Sequence, residues 1–295
     1  KDGTLLVTGT GTSWLSHDFI DVGTYGQGLV TVSDGASLVS SDAVIGGGVS
    51  GTVRVTGAGS RWNDDGELYL GGSVGATGTG VLDVGDRATV TSAAVSIGSY
   101  AGTTGEAVVH DAGTIWRVTD RMEIGGVAAN SGDAAGHGLL RVAGDALVEV
   151  GNDIKIWAPG RLLLDFGTVA AHAIDSEGEV EGTGRIDGDF LNQGSLRPGA
   201  GVGNIAFAGS FEQAVGGELL VDIAGTDRAA YDTLSIAGAA SLDGALRVSF
   251  LNDFSADEGD VFDILRAQLI SGSFTAEDLP ALRAGLLDEV GHGDL

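Results

Sequence analysis

The chain has no cysteine, which excludes a disulfide framework and any thiolate metal centre. Only three residues are proline, and the glycines follow no three-residue period, so a collagen-like helix is excluded as well. Basic residues are scarce, 15 against 41 aspartates and glutamates, for a formal net charge of −26. Such a surface repels phosphate backbones and anionic headgroups, which argues against nucleic acid and membranes as partners. No apolar run approaches the ~18 residues that a membrane-crossing helix requires. The sequence opens at Lys1-Asp2-Gly3, already inside a repeat. The expectation is a fragment of a longer precursor, cut near Leu295 just before the natural end of a terminal cap.

Glycine, by contrast, is abundant, at 52 of 295 residues, more than twice the usual ~7%. With 43% hydrophobic residues, the chain carries too much apolar surface for a disordered acidic tail. Gly, Val, Thr, Ala, Asp and Leu together describe many short strands joined by tight turns.

A repeat organises the first half. Units open on a glycine followed by an alternating apolar strand at Gly3, Gly28, Gly51, Gly80, Gly105 and Gly138. Each closes on a second such strand ending in glycine, as in Ile20-Asp21-Val22-Gly23 or Met122-Glu123-Ile124-Gly125. Length variation falls almost wholly between that closing glycine and the next opening one, as expected of loops on one side of a solenoid. Alternate units differ regularly. Those at 3, 51 and 105 place Trp14, Trp62 and Trp116 eleven residues after the glycine, whereas their neighbours carry Leu38, Val90 and Val148 after a turn. The true period is therefore a two-rung unit.

Strands of four or five residues cannot bury an apolar face alone, but rungs of ~23 residues stacked at ~4.8 Å bury one continuous column. The predicted fold is all-β: a single right-handed parallel β-helix, or β-solenoid, with an atypical C-terminal cap. A β-propeller is the rival, but its blades need longer strands. Residues 1–160 are the Trp-marked rungs and 161–251 a continuation with slimmer rungs. Residues 252–295 are the cap segment, with strands over 259–265 and 270–274 and a short helix within 275–290 carrying Leu282, Leu286 and Leu287 on one side.

The stretch 178–225, with GTGRIDGDFLNQGSLRPG at its heart, and the following 231–265, YDTLSIAGAASLDGALRVSF onward, resemble bacterial autotransporter passenger domains. The Trp-bearing front half is similar to the passenger-associated repeats of the same families. The resemblance implies a cell-surface or extracellular location and a structural or adhesive stalk. Its implied partners are a surface glycan, a protein receptor, or further copies joined through the ends or faces of the helix. It specifies no active site, because these scaffolds carry unrelated activities as grafted sites.

Three groups of residues merit weighing as sites. Trp14, Trp62 and Trp116 would recur every second rung; exposed, such a stripe stacks on a glycan, whereas buried it fills a solenoid corner, the commoner role of large aromatics. Asp64, Asp65, Asp83 and Asp86, with Asp145, Asp153, Asp187 and Asp189, are hard oxygen ligands suited to calcium, the one cofactor these residues suggest. The same residues stabilise turns through their own backbone, and the nine-residue calcium repeat is absent. His110, Asp111, Arg117, Asp120 and Arg121 supply residue types that a polysaccharide lyase or hydrolase needs, although a cleft for acidic glycans should be basic. His17, His110, His137, His172 and His292 lack metal-ligand spacing. The reading that follows is a non-enzymatic structural or adhesive stalk. A carbohydrate-active β-helix is the alternative, and a self-associating filament or surface-layer subunit the second.

Overall fold

A computed structural model of the chain describes residues 1–72, 77–98, 100–126 and 136–280. Each rung of the first half has three short strands, as in Gly3–Thr8, Ser13–Leu15 and Ile20–Val22, or Ser50–Thr56, Arg61–Asp64 and Glu67–Leu70. Every strand pairs in parallel with its counterpart one rung on, producing three faces around a closed apolar column. The fold is thus the parallel β-helix that the repeat predicts. On the first face, register runs from Gly3 through Gly28, Gly51, Gly80, Gly105, Gly138 and Gly160. It continues from Arg161 through Glu179, Ser195, Glu218 and Ala245 to Ala276. Those eleven steps, at ~4.8 Å each, make a rod roughly 53 Å long.

The repeated glycines have a common cause. The closing glycine of each rung takes a left-handed backbone, φ 101° at Gly71 and 80° at Gly46. Its N–H donates to the carbonyl of the preceding rung, Gly71 to Ile45 at 2.8 Å and Gly98 to Leu70 at 2.8 Å. The opening glycine of the next unit then packs into that corner: a Cβ at Gly80 would overlap both the Ile45 carbonyl oxygen and the Gly71 nitrogen. The overlapped atoms are backbone and cannot swing aside. Gly80→Ala is therefore expected to cost about 2–3 kcal/mol, read as a lower denaturant midpoint. Gly3→Ala, where a Cβ meets nothing, should leave the midpoint unchanged.

Inward positions alternate with outward ones throughout, as period-2 strands require. The second-face column reads Trp14, Leu38, Trp62, Val90, Trp116, Val148, Val169 and Ile186. Large and small side chains alternate along its first part, so the Trp62 and Trp116 indoles each rest between two aliphatic residues. Further along, Phe190, Phe207 and Phe211 form one cluster with ring centroids 5.2–6.1 Å apart. Beside them the third-face column turns polar, with Ser176, Asn192 and Gln213 stacked and buried. The amide nitrogens are partnered, Asn192 donating to Gln213 at 3.2 Å and Gln213 to the Ala245 carbonyl at 2.9 Å, while the Asn192 side-chain oxygen is buried without a partner.

The second half departs from expectation in three places. Slim rungs occur only at its start, where Arg161 pairs with Glu179 and Glu179 with Ser195; the next steps, to Glu218 and then Ala245, are as long as those of the first half or longer. Extra length is taken up by irregular chain around 252–264, where Tyr231, Phe250, Phe254 and Phe262 meet edge-to-face. The strand expected over 259–265 is accordingly reduced to Leu265–Arg266, with Leu269–Gly272 following. Of the segment expected to hold a short helix, 275–290, the described part 275–280 carries a strand instead: Ala276–Asp278 pairs with Ala245–Arg247. Stacking on an existing ladder outweighs the weak helical pattern of so short a segment. Leu282, Leu286, Leu287 and His292 lie outside the described residues.

Candidate functional site

The most chemically varied surface is a shallow groove of about 440 Å³ on the outside of the first face. It crosses four rungs and is lined by Thr52, Arg54, Val81, Asp83, Val108, His110, Arg141 and Ala143. His110 follows the strand Thr104–Val109, and its ring lies over Gly85 of the preceding rung, where a Cβ would overlap it. Nε2 is 3.0 Å from an Asp83 carboxylate oxygen and Nδ1 is 2.7 Å from one of Asp111. Asp83 also faces Arg54 at 3.5 Å, while Arg141 pairs with Asp165 at 2.6 Å. The Asp86 backbone N–H, outweighing partial desolvation and helped by the His110 ring, holds the Asp111 carboxyl below its ordinary range.

This arrangement is a strap between rungs. Both imidazole nitrogens lie within hydrogen-bond distance of carboxylates, Asp83 of the preceding rung and Asp111 next in sequence. Both carboxylates are in turn occupied by the imidazole rather than facing each other across a vacant space, as a glycoside hydrolase requires.

The other residues weighed for catalysis lie elsewhere. Arg117 is on a second-face strand and pairs with Glu149 of the next rung at 3.0 Å. Arg121, at the corner before the third face, contacts Asp120, Glu67 and Glu123 at 3.1–3.5 Å. Of the five, the structure joins His110 to Asp111, and Asp120 to Arg121, leaving Arg117 apart. Spacing along the chain misleads here because one turn of the helix carries these residues across two corners.

The tryptophans divide. Trp62 and Trp116 are 1% and 0% exposed, filling the core, and only Trp14 on the first rung is partly open at 38%. Each buried indole donates to a serine of the preceding rung, Trp62 to Ser40 at 2.9 Å and Trp116 to Ser92 at 3.2 Å. A glycan-stacking stripe is therefore not present at these positions.

The four aspartates weighed for calcium point to different places. Asp64 is interior, Asp83 is bound up with His110 and Arg54, and Asp86 accepts a bond from the Thr56 hydroxyl at 2.7 Å. Asp65 lies past the strand end, its N–H donating to the Ser40 carbonyl. Asp145 holds a left-handed turn, Asp153 meets His172 at 3.1 Å, Asp187 pairs with Arg185, and Asp189 accepts from the Ser210 N–H. Among the described residues no group of three or more His, Asp or Glu side chains is arranged to hold a metal.

Two aspartates are deeply buried, Asp64, weighed above only as a calcium ligand, and Asp232, which the sequence reading did not single out. Asp64, 1% exposed, accepts a 2.6 Å bond from the Ser40 hydroxyl, while its second oxygen has no partner. Burial pushes it up to about 7, against the Ser40 bond and aided by Asp42 and Asp65. Asp232 is fully buried and accepts N–H bonds from Gly203 at 2.7 Å and Asp222 at 2.8 Å. Burial raises it too to about 7, opposed by those bonds and by Arg197. The signal for Asp64 was available, since alternation from buried Trp62 turns residue 64 inward; Asp232 follows an irregular turn where no alternation applies. No family model, curated protein or solved structure matches the chain.

Proposed function

We propose that the chain is a stalk segment of a bacterial surface protein, a stiff spacer that holds other parts of its precursor away from the cell. The observation that carries this reading is the uninterrupted parallel ladder running through all described rungs. Each rung is hydrogen-bonded to the next and fills one shared apolar column, so bending anywhere breaks backbone bonds on at least one face. The resemblance of 178–265 to passenger domains supports the extracellular setting. A surface glycan or receptor would be met by the variable segments between rungs, which differ in sequence from unit to unit.

Small-angle scattering should give a rod whose cross-section stays constant over a length of roughly 53 Å or more. A compact particle would overturn the reading. The competing carbohydrate-active reading rests on the His110 groove alone. Incubation with neutral and uronic-acid polysaccharides is expected to yield no new reducing ends and no unsaturated products. Turnover that His110→Ala abolishes would replace the stalk with an enzyme.

A further inference from the structure

Five aspartate–glycine pairs occur in the chain, at 2–3, 34–35, 65–66, 187–188 and 243–244. In such a pair the glycine has no side chain to shield its backbone nitrogen from the carboxyl before it. The last pair stands apart in geometry. Asp243 and Gly244 form the corner between the strands Ala239–Leu242 and Ala245–Phe250. Gly244 takes a left-handed backbone, φ 64°, and its N–H donates to the Asp243 carboxylate Oδ1 at 2.7 Å. That amide is thus turned to the side chain preceding it and away from the ladder. The contact holds the nitrogen within roughly 3.5 Å of the carboxyl carbon, the separation of reacting atoms in a near-attack pair.

Asp34 and Gly35 supply the contrast within the same chain. There the glycine N–H donates to the Ser60 hydroxyl at 3.0 Å. The Asp34 carboxylate accepts from the hydroxyls of Thr8 at 2.7 Å and Ser33 at 3.2 Å. Nitrogen and carboxyl are each committed to a different partner.

We infer that Asp243–Gly244 is a site of self-modification, closing to a succinimide and reopening as isoaspartate. The Gly244 nitrogen bonds to Asp243 Cγ while the bond from Cγ to its hydroxyl oxygen breaks. The amide proton and the hydroxyl of the protonated carboxyl leave together as water. A second water then opens the ring. Attack at the main-chain carbonyl carbon of Asp243 breaks its bond to the Gly244 nitrogen, so the chain afterwards runs through Cβ and Cγ. The former main-chain carbonyl becomes the carboxylate. Attack at Cγ instead restores aspartate. Water is the only co-reactant. The product has one more backbone carbon at a corner that anchors its neighbours on both sides. The Gly244 carbonyl accepts the N–H groups of Thr275 at 2.8 Å and Ala276 at 3.1 Å, and the Asp243 carbonyl accepts the Gln213 amide at 3.1 Å. In isoaspartate that second carbonyl has left the main chain, and the anchor of the strand Ala276–Asp278 is displaced. This inference stands independently of the stalk reading, because it concerns the chemistry of one corner and not its biological use.

The test ages the folded full chain in mildly acidic buffer and maps the products in digests by mass spectrometry. Loss of one water marks the succinimide, and electron-transfer fragmentation distinguishes isoaspartate from aspartate. Both products are expected to accumulate at Asp243 about tenfold faster than at Asp34. In denaturant the two pairs should react at similar rates, since the sequence Asp-Gly is common to both. Asp243→Glu would have to close a six-membered ring and should yield no product at that corner. It should also keep the slow amide exchange over Ala276–Asp278 that the unaltered chain loses with age. A rate at Asp243 no greater than at Asp34 in the folded chain would overturn the inference. So would a preference for Asp243 that persists undiminished in denaturant, because geometry would then have no part in it.

Discussion

Raising the pH from about 4 to about 8 is expected to destabilise this protein strongly, with Asp64 and Asp232 responsible for much of the loss. Both sites have an ordinary value of 3.8 and are raised to about 7 in the fold, chiefly by burial. The native state therefore holds two protons more tightly than the unfolded chain does. Below pH ~4 both states are protonated and the sites exert no pull. Between there and neutrality the unfolded chain releases protons that the folded one retains, and stability falls by ~1.4 kcal/mol per pH unit and site. Across the whole window that amounts to about 4 kcal/mol for each. Self-repulsion of the −26 net charge acts in the same direction, so the slope alone does not identify the sites. Asp64→Asn and Asp232→Asn do. Each should flatten the fall in denaturant midpoint between pH 5 and 8, and the double variant should flatten it most. Slopes equal to that of the unaltered chain would remove these two carboxylates from the account.

Trp116→Ala should be the most damaging single substitution along the tryptophan column. The indole is fully buried between Val90 and Val148 and bonded to Ser92, itself buried. Its removal leaves a ring-sized cavity in a column that cannot collapse without breaking ladder bonds. The expected cost is about 4 kcal/mol, with a further ~1–2 kcal/mol for the orphaned hydroxyl. Trp116→Phe keeps most of the volume and should cost only about 2 kcal/mol. Trp14→Ala, flanked on one side and 38% exposed, should cost less than either. Because each rung contacts only its neighbours, Trp116→Ala is also expected to split the unfolding transition into two steps. Equal costs at positions 14 and 116 would contradict the packing described above.

How much of this was legible in the chain depended on whether a local rule or a stacked neighbour decided the outcome. The glycine pairs, the strand alternation and the two-rung tryptophan period are local, and together they carried the fold. Burial of Trp62 and Trp116 agrees with the corner-filling role weighed for them, while the serines that receive their indoles were invisible, since 22 and 24 residues separate the partners. His110 was singled out together with Asp111 next to it, but its second partner, Asp83, is 27 residues away. Arg117 and Arg121 are close to His110 in sequence yet turn to other faces. The 17-residue strand Gly160–Ser176 bends at Phe166, where φ is 64°, so the left-handed position falls on a phenylalanine one residue before Gly167 and lacks the usual mark. Over 275–278 a weak apolar pattern read as helix because nothing local announces that Ala245–Arg247 stands ready as a template.

The glycine corner of the first half has one more consequence. Between its two glycines the chain runs through four residues at 24–27, eight at 72–79 and twelve at 126–137. Register on either side is undisturbed, with Gly80 still opposite Gly105 and Gly105 opposite Gly138. The corner therefore tolerates segments of different length while the strands on either side keep their register, and doubling such a segment costs only about 0.6 kcal/mol in closure entropy. A lineage can exchange these inserts freely while the rod that bears them stays the same, and foreign peptides placed at 126–137 would be displayed on the same terms.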